Sequence, residues 1–199
     1  MVLVLVVLMV FSVVACGKTD VNEEGSKKNS DVNGKFQISG DFVVDGKTYS
    51  LDGTTYSLDD IHRQLIDNGW KPNGTEKTTV LPRTQKCVKY YNEKYGAEEG
   101  DIYIRVYYFN NTEEELDSLA CSVQIIEILK VDDGHYPNFG IPEGFSFATT
   151  LLEVEAVRLP DTQSRNSWYF FGEENARLSC LIVTFDDNDI INRISLHYR

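Results

Sequence analysis

The sequence predicts an α+β fold of two tandem units, each a helix plus an antiparallel sheet, with one extended sheet shared by both units as a variant of this layout. Two segments carry apolar residues at helical spacing, and each precedes several short segments in which apolar and polar residues alternate. The composition is 42% hydrophobic and 12% aromatic, which is typical of a folded protein. A Gly/Pro/Asp-rich break at 132–144 separates the two series, so we assign residues 35–131 to the first unit and 132–199 to the second.

The N-terminal segment predicts export. Residues 1–15 carry no charge and form an apolar run, too short to span a bilayer core of about 30 Å but suited to a signal peptide. The run closes with Val13-Val14-Ala15-Cys16 before Gly17, which resembles the lipobox of bacterial lipoproteins. In that class the cysteine sulfur receives diacylglycerol, so the resemblance implies a lipid anchor on Cys16. The alternatives are an ordinary secretory signal and a buried N-terminal strand.

No Lys or Arg precedes this apolar run, so we expect the true translation start to lie upstream. Residues 17–34 have only Val21 and Val32 as apolar side chains, which predicts a flexible tether. A coil of this length separates its ends by about 20–25 Å. The predicted localisation is therefore the outer surface of a cell membrane, with the domain held by the acyl chains on Cys16.

The first unit is predicted to begin with a hairpin. Phe42–Val44 and Lys47–Leu51 are its strands, and Asp45-Gly46 is a tight-turn pair. A helix follows, with Ser57 as N-cap, Asp60 at capping-box spacing, and Asn68-Gly69 at its end. Its apolar face comprises Leu58, Ile61, Leu65 and Ile66. The next predicted strands are Thr78–Leu81, Cys87–Tyr91, Asp101–Phe109 and Leu119–Leu129.

The second unit repeats this order. Thr150 and Glu153 have capping-box spacing at the start of its helix, and Leu159-Pro160 ends it. The apolar face of this helix comprises Leu151, Val154 and Val157. Its predicted strands are Trp168–Phe171, Leu178–Phe185 and Ile190–Tyr198. The two halves thus form a weak architectural repeat, in which Cys121 and Cys180 occupy similar places.

Short motifs in both halves resemble known envelope proteins. The segments GIPEGFSFATTLLEVEAVRLPDT, WYFFG and LSCLIVTFDDNDIINRISL resemble the helix–strand–strand–strand unit of outer-membrane-assembly lipoproteins. That unit occurs in tandem in the beta-lactamase inhibitor protein family. The segments DGKTYSL, IDNGW and LACSVQIIEI resemble the companion half of uncharacterised lipoproteins from anaerobic Gram-positive bacteria. Arg158 stands where a glycine often ends the helix of the unit. The resemblance implies a non-catalytic interaction module and transfers no binding residue.

Charge and cysteine content narrow the function classes. The net charge is −12, which argues against nucleic acid as a partner because nucleic-acid binding needs basic patches. The acidic surface is interpreted as a solvated one, with a basic partner or a cation as the alternative. If Cys16 is acylated, Cys87, Cys121 and Cys180 remain. A disulfide between Cys121 and Cys180 would form if the two halves are equivalent and adjacent; otherwise the thiols stay free.

The histidines do not indicate a catalytic site. His62 lies at the spacing of the polar face of the first helix, so we expect it to be solvated, and His197 lies in the last strand. His135 neighbours Asp132-Asp133 in the 132–144 break. Two aspartates and one histidine fall short of a metal-ligand set, so we interpret this segment as a turn. Sequence motifs for nucleophilic hydrolases, phosphate-binding loops and dinucleotide binding are absent from the chain, and no cofactor is predicted.

Acidic clusters have a similar interpretation. Asp186, Asp187 and Asp189 lie between two strands and predict a hairpin turn rather than a calcium loop, which needs six to eight oxygens. Glu113-Glu114-Glu115 predicts a solvated loop. Paired carboxylates of a hydrolase act through their spatial separation, which the sequence does not give.

The strand aromatics admit two interpretations: a core that packs against the helices, or an exposed binding face. They are Tyr90, Tyr91, Tyr95, Tyr103, Tyr107, Tyr108, Trp168, Tyr169, Phe170 and Phe171. The sequence therefore predicts a surface lipoprotein that binds an envelope protein or peptide and is not an enzyme. The alternatives are an envelope hydrolase that uses carboxylates and a structural or stress-related envelope protein.

Overall fold

The computed structural model describes residues 39–51, 56–74, 78–95, 103–130, 137–174 and 177–199. The predicted signal peptide, Cys16 and the tether lie outside the described residues, as do Asp132, Asp133 and His135. The described helices are α1 (Leu58–Asp67) and α2 (Leu151–Val157), with short 3₁₀ helices at Glu93–Tyr95 and Ser118–Ala120. The strands of the first half are β1 (Phe42–Val44), β2 (Lys47–Tyr49), β3 (Lys71–Asn73), β4 (Thr79–Val80), β5 (Gln85–Tyr91), β6 (Ile104–Phe109), β7 (Leu116–Asp117) and β8 (Ser122–Leu129). Those of the second half are β9 (Phe139–Gly140), β10 (Thr162–Ser164), β11 (Ser167–Phe171), β12 (Leu178–Phe185) and β13 (Ile191–Tyr198).

The α+β class is confirmed, but the layout in two units is wrong. One antiparallel sheet has the strand order β10-β11-β12-β13-β8-β6-β5-β3, and a small sheet has the order β2-β1-β9. Strands from both halves pair in each of these sheets, β8 with β13 and β1 with β9. The final strand of each half has eight residues, and pairing β8 with β13 satisfies backbone groups that two separate sheets would expose at their edges.

Helix α1 follows its predicted boundaries, although its cap differs. Ser57 has extended N-cap geometry, but its hydroxyl bonds the Asp60 carboxylate at 2.8 Å instead of a backbone N–H group. Gly69 follows the helix with a φ of 81°, a left-handed conformation that glycine adopts without strain. The buried apolar residues are Leu58, Ile61 and Leu65, whereas the Ile66 side chain stays partly exposed.

The prediction of a solvated His62 is wrong. Its side chain is buried, and Nδ1 lies 2.9 Å from the hydroxyl of Tyr90, which is itself fully buried on β5. Helical spacing alone placed His62 on the polar side of α1. The adjacent sheet covers that side because β5 lies directly against it.

Helix α2 has the predicted capping box. The Thr150 hydroxyl accepts a hydrogen bond from the Glu153 backbone N–H at 3.3 Å, and Glu153 Oε2 accepts from the Thr150 N–H at 2.8 Å. Only Val154 of its predicted apolar face is fully buried, while Val157 is exposed. The helix therefore makes a narrow contact with the core, as suits its length of 7 residues.

The strand predictions hold best for the long strands. Strands β5, β6, β8, β11, β12 and β13 overlap their predicted ranges, although β6 begins at Ile104 and β8 begins after the 3₁₀ turn. Strands β3, β7, β9 and β10, each of two or three residues, were not predicted, whereas the equally short β1 and β2 were, because the Asp45-Gly46 turn pair marks them. Strand β3 also contains Pro72, which is tolerated because β3 lies at the sheet edge.

One face of the eight-stranded sheet forms the core beneath the helices and the small sheet. Tyr103 contacts Phe139 of β9, with ring centroids 6.5 Å apart, and Phe170 of β11 contacts Phe145 at 6.1 Å. The core side chains of the central strands are Ile104, Val106, Ile126, Ile128, Ile194, Leu196, Leu181 and Val183, each with 0% exposure. Burying such side chains contributes about 1.5–3 kcal/mol each, which makes this face the main source of stability.

Candidate functional site: the open face of the sheet

The opposite face of the eight-stranded sheet carries a second organised set of side chains. Directly paired residues of antiparallel strands project to the same side, so the register defines rows across the sheet. One row is Lys89, Arg105, Glu127, Ser195, Ile182 and Tyr169. A second row is Cys87, Tyr107, Ile125, His197, Cys180 and Phe171. A third row is Leu129, Arg193, Thr184 and Ser167. These three rows are called the open face below.

Aromatic residues divide between the two faces. On β11, Trp168 and Phe170 point into the core with 5% and 0% exposure, whereas Phe171 on the open face is 48% exposed. On β6, Tyr108 is buried and Tyr107 is only partly covered. Both interpretations of the strand aromatics therefore apply, each to a different subset, because successive side chains alternate between faces. The aromatic open-face residues are Tyr107, Tyr169 and Phe171.

A polar network lies in the middle of the open face. Glu127 Oε2 accepts hydrogen bonds from the Tyr107 hydroxyl at 3.1 Å and from Arg105 Nη1 at 3.4 Å. The Glu127 side chain is 16% exposed and that of Arg105 is 34% exposed, so the ion pair is partly shielded from water. Burial, reinforced by the Glu127 charge, raises the pKa of Tyr107. Tyr107 is therefore a protonated donor at neutral pH.

His197 and Cys180 lie directly opposite each other on β13 and β12. Burial lowers the pKa of His197 against the opposing effect of Glu127, so the imidazole is mostly neutral at pH 7. The Cys180 thiol donates to the Leu181 carbonyl at 3.5 Å, and burial raises its pKa. Burial also raises the pKa of Cys87, against Arg105 and Lys89. Both open-face thiols are thus protonated at neutral pH, unlike the low-pKa thiolates of cysteine nucleophiles.

The conditional disulfide between Cys121 and Cys180 does not form, and the alternative of free thiols holds. Cys87, Cys121 and Cys180 are all free thiols. Cys180 pairs with His197, which pairs with Ile125 of β8, so a whole strand separates Cys180 from the strand that follows Cys121. The two interstrand spacings from β12 across β13 to β8 amount to about 9.6 Å, which exceeds the Cα–Cα distance of roughly 7 Å that a disulfide can bridge. Cys121 also lies in the core, whereas Cys180 lies on the open face.

The acidic clusters that the structure describes are turns and loops. Asp186 Oδ1 accepts hydrogen bonds from the backbone N–H groups of Asn188 and Ile190, at 2.9 and 3.0 Å, which closes the predicted hairpin turn between β12 and β13. Glu113 pairs with Arg83 on the surface. The described ranges contain no cluster of three His, Cys, Asp or Glu side chains that would hold a metal ion.

Carboxylates are scarce on the open face. Among its described strand residues, Glu127 is the only one, whereas carboxylate-based hydrolysis of glycosides needs two. Two shallow depressions, of about 330 and 270 Å³, lie elsewhere, beside α2 and along α1. Phe145 and Thr149 contribute to the first, and Asp60 and Asp67 to the second. The geometry thus presents a broad surface for contact.

Comparisons with protein-family models, with curated proteins and with solved structures found no match to this chain. The resemblance to tandem envelope modules therefore stays a prediction. None of the helices in the described part of the chain has the length and apolar character needed to cross a membrane.

Several open-face residues were not predicted from the sequence. Ile125, Ile182 and Arg193 belong to the surface but were not singled out. Alternation along β8 and β12 was visible, but it does not say which set of residues the helices cover. The available signal was the run Trp168-Tyr169-Phe170-Phe171. Because successive side chains of a strand point to opposite faces, two of these four aromatic side chains must lie on the face opposite the core.

Proposed function

We propose that this chain is an exported lipoprotein, anchored through Cys16, whose folded domain binds a protein or peptide of the bacterial envelope on the open face. The proposal assigns it no catalytic activity. The observation that carries it is a sheet face that the described helices leave uncovered, on which Phe171 is 48% exposed and Tyr107, Tyr169 and Ile182 are partly exposed. Exposed apolar surface that is contiguous and bordered by polar groups is typical of interaction sites.

The dimensions of the surface suit a protein partner. The rows cross six strands, from β5 to β11, which at about 4.8 Å apart span about 24 Å. The central strands have five to eight residues, which gives lengths of about 17–27 Å. The resulting area, on the order of 500 Å², is in the range of up to about 600 Å² per partner that small, transient protein interfaces bury. Tyrosine, phenylalanine and arginine, which this face carries, are enriched at the energetic centres of interfaces.

Site-specific photo-crosslinking in cells tests the binding proposal. A photoreactive phenylalanine analogue at Phe171 is expected to give a discrete adduct with another envelope component. The matched control is the same analogue at Leu152, which is 72% exposed on α2 and lies away from the open face. Identical adduct patterns at both positions, or no adduct from Phe171, Tyr169 and Ile182, would contradict the proposal.

The anchor is tested separately. Replacing Cys16 with serine is expected to release the chain from the membrane fraction and to abolish incorporation of labelled fatty acid, because position 16 then has no thiol to accept diacylglycerol. Serine at Cys180 is the control, since that thiol lies within the folded domain. Unchanged membrane association of the Cys16 variant would remove the lipid anchor from the proposal while leaving the open face as a binding surface.

A further inference from the structure

The charge of the open face is opposite to that of the whole chain. The protein carries a net charge of −12. On the three rows of the open face, the cations Lys89, Arg105 and Arg193 accompany a single anion, Glu127. A chain with 31 acidic and 19 basic residues thus keeps a net positive charge on these three rows.

Two of these cations remain available for a partner. Arg105 is the residue paired with Glu127. Lys89 is exposed, and its side-chain ammonium makes no ion pair or hydrogen bond among the described contacts. Arg193 bonds only the neutral Thr184 hydroxyl, at 3.3 and 3.4 Å. The two residues lie on either side of the Arg105–Glu127 pair, on β5 and β13.

From this arrangement we propose that the partner is an acidic protein segment, in which apolar side chains cover the aromatic rows and Asp or Glu side chains pair with Lys89 and Arg193. The inference rests on the proposed function, because it specifies the chemistry of the same surface. It differs from the basic partner that the overall charge offered as the alternative to a solvated acidic surface. The aromatic and aliphatic content of the rows favours a protein over a polyanionic glycan, since a glycan offers little apolar surface to Phe171 and Ile182.

Electrostatic complementarity of this kind governs partner choice and association rate. Opposed charges raise the association rate and disfavour wrong partners, and salt weakens the effect. A basic segment would meet like charges at Lys89 and Arg193. The rest of the acidic surface would repel an acidic partner, so the positive open face also directs the partner to one side of the domain.

The test uses the purified full chain and a displayed library of random 12-residue peptides. Binders are sorted by competition with the variant Phe171→Ala, which removes the ring without adding charge and so identifies those that need the open face. We expect these peptides to be enriched in Asp and Glu over Lys and Arg. We also expect Lys89→Glu to weaken them at least tenfold and 300 mM salt to weaken them severalfold.

Lys86→Glu is the matched control because Lys86 lies on the same strand as Lys89 but projects to the opposite side, where it donates to the Thr79 carbonyl at 2.9 Å. It should leave peptide affinity within twofold of the unaltered chain. Arg193→Gln provides a second test without charge reversal, with folding checked by circular dichroism, and should weaken binding about threefold or more.

Each outcome bears on a different claim. Open-face binders that lack acidic enrichment, or that tolerate Lys89→Glu, would overturn the acidic-partner inference and leave the proposed function standing. A library that yields no binder sensitive to Phe171→Ala would count against the proposed function itself. Retention on immobilised heparin that depends on Lys89 but not on Phe171 would overturn the protein partner in favour of a polyanionic glycan.

Discussion

The two faces of the eight-stranded sheet use similar side chains for different ends. Trp168 and Phe170 lie under the helices, while their neighbours Tyr169 and Phe171 lie on the open face. The core face is closed by α1, α2 and the small sheet, and its residues gain their stabilisation on folding. The open-face aromatic side chains keep part of their apolar surface in contact with water, and a partner can cover this surface. The comparison teaches that aromatic content alone does not distinguish a core from an interface in this chain.

The strongest test of this comparison removes one aromatic side chain from each face of β11. Phe170→Ala should destabilise the fold by about 3–5 kcal/mol, because a fully buried ring is replaced by a cavity. Phe171→Ala should cost less than about 1 kcal/mol, because its ring is already half exposed. Urea unfolding followed by circular dichroism measures both. Equal losses for the two variants would mean that the open face is part of the core.

A smaller difference is expected for tyrosine hydroxyl groups on the two faces. Tyr90→Phe leaves the buried His62 Nδ1 without its 2.9 Å partner and should destabilise by about 1–3 kcal/mol. Tyr107→Phe removes a bond to Glu127, which keeps Arg105 as a partner, and should cost about 0.5 kcal/mol or less. The same urea assay applies. A larger loss for Tyr107→Phe would show that the open-face network supports the fold more than it serves recognition.

The smallest expected effect concerns the Lys94–Asp45 ion pair, which lies at the turn between β1 and β2 of the small sheet. Asp45 accepts hydrogen bonds from Tyr95 at 2.6 Å, from the Asn138 backbone at 3.0 Å and from Lys94 at 3.0 Å. The Tyr95 bond is the main reason why the pKa of Asp45 lies below its usual value of 3.8. Because the folded-state pKa is lowered, the carboxylate stabilises the fold at neutral pH, and this contribution disappears as the pH falls below about 3.8.

Asp45→Asn should therefore lower stability at pH 7 by less than about 1 kcal/mol, since the carboxylate is partly exposed. The difference from the unaltered chain should shrink towards zero at about pH 2. Thermal unfolding at both pH values measures it, with Glu127→Gln as the open-face counterpart. If the stability lost in Asp45→Asn stayed constant across this pH range, the loss would come from altered packing or hydrogen bonding of the side chain and not from its charge.

The parts of the fold that could be predicted are those set by local chemistry. The Thr150–Glu153 capping box and the Asp186 turn formed as the sequence indicated, because each depends on residues within four positions of one another. The long strands also followed their alternation. The Cys121–Cys180 disulfide failed because similar places in two halves do not imply adjacency across β13.

The sequence by itself determined the helix boundaries, the long strands, the acidic charge and the pattern that predicts a lipid-anchored export signal, since these depend on composition and on neighbouring residues. Tertiary structure decided that β8 pairs with β13, that His62 is buried, and which alternate set of side chains forms the open face. The physical reason is that alternation defines two faces of a strand equally well. Only the packing of the helices against one of them distinguishes core from surface and places Lys89, Arg193 and Phe171 together on the uncovered side.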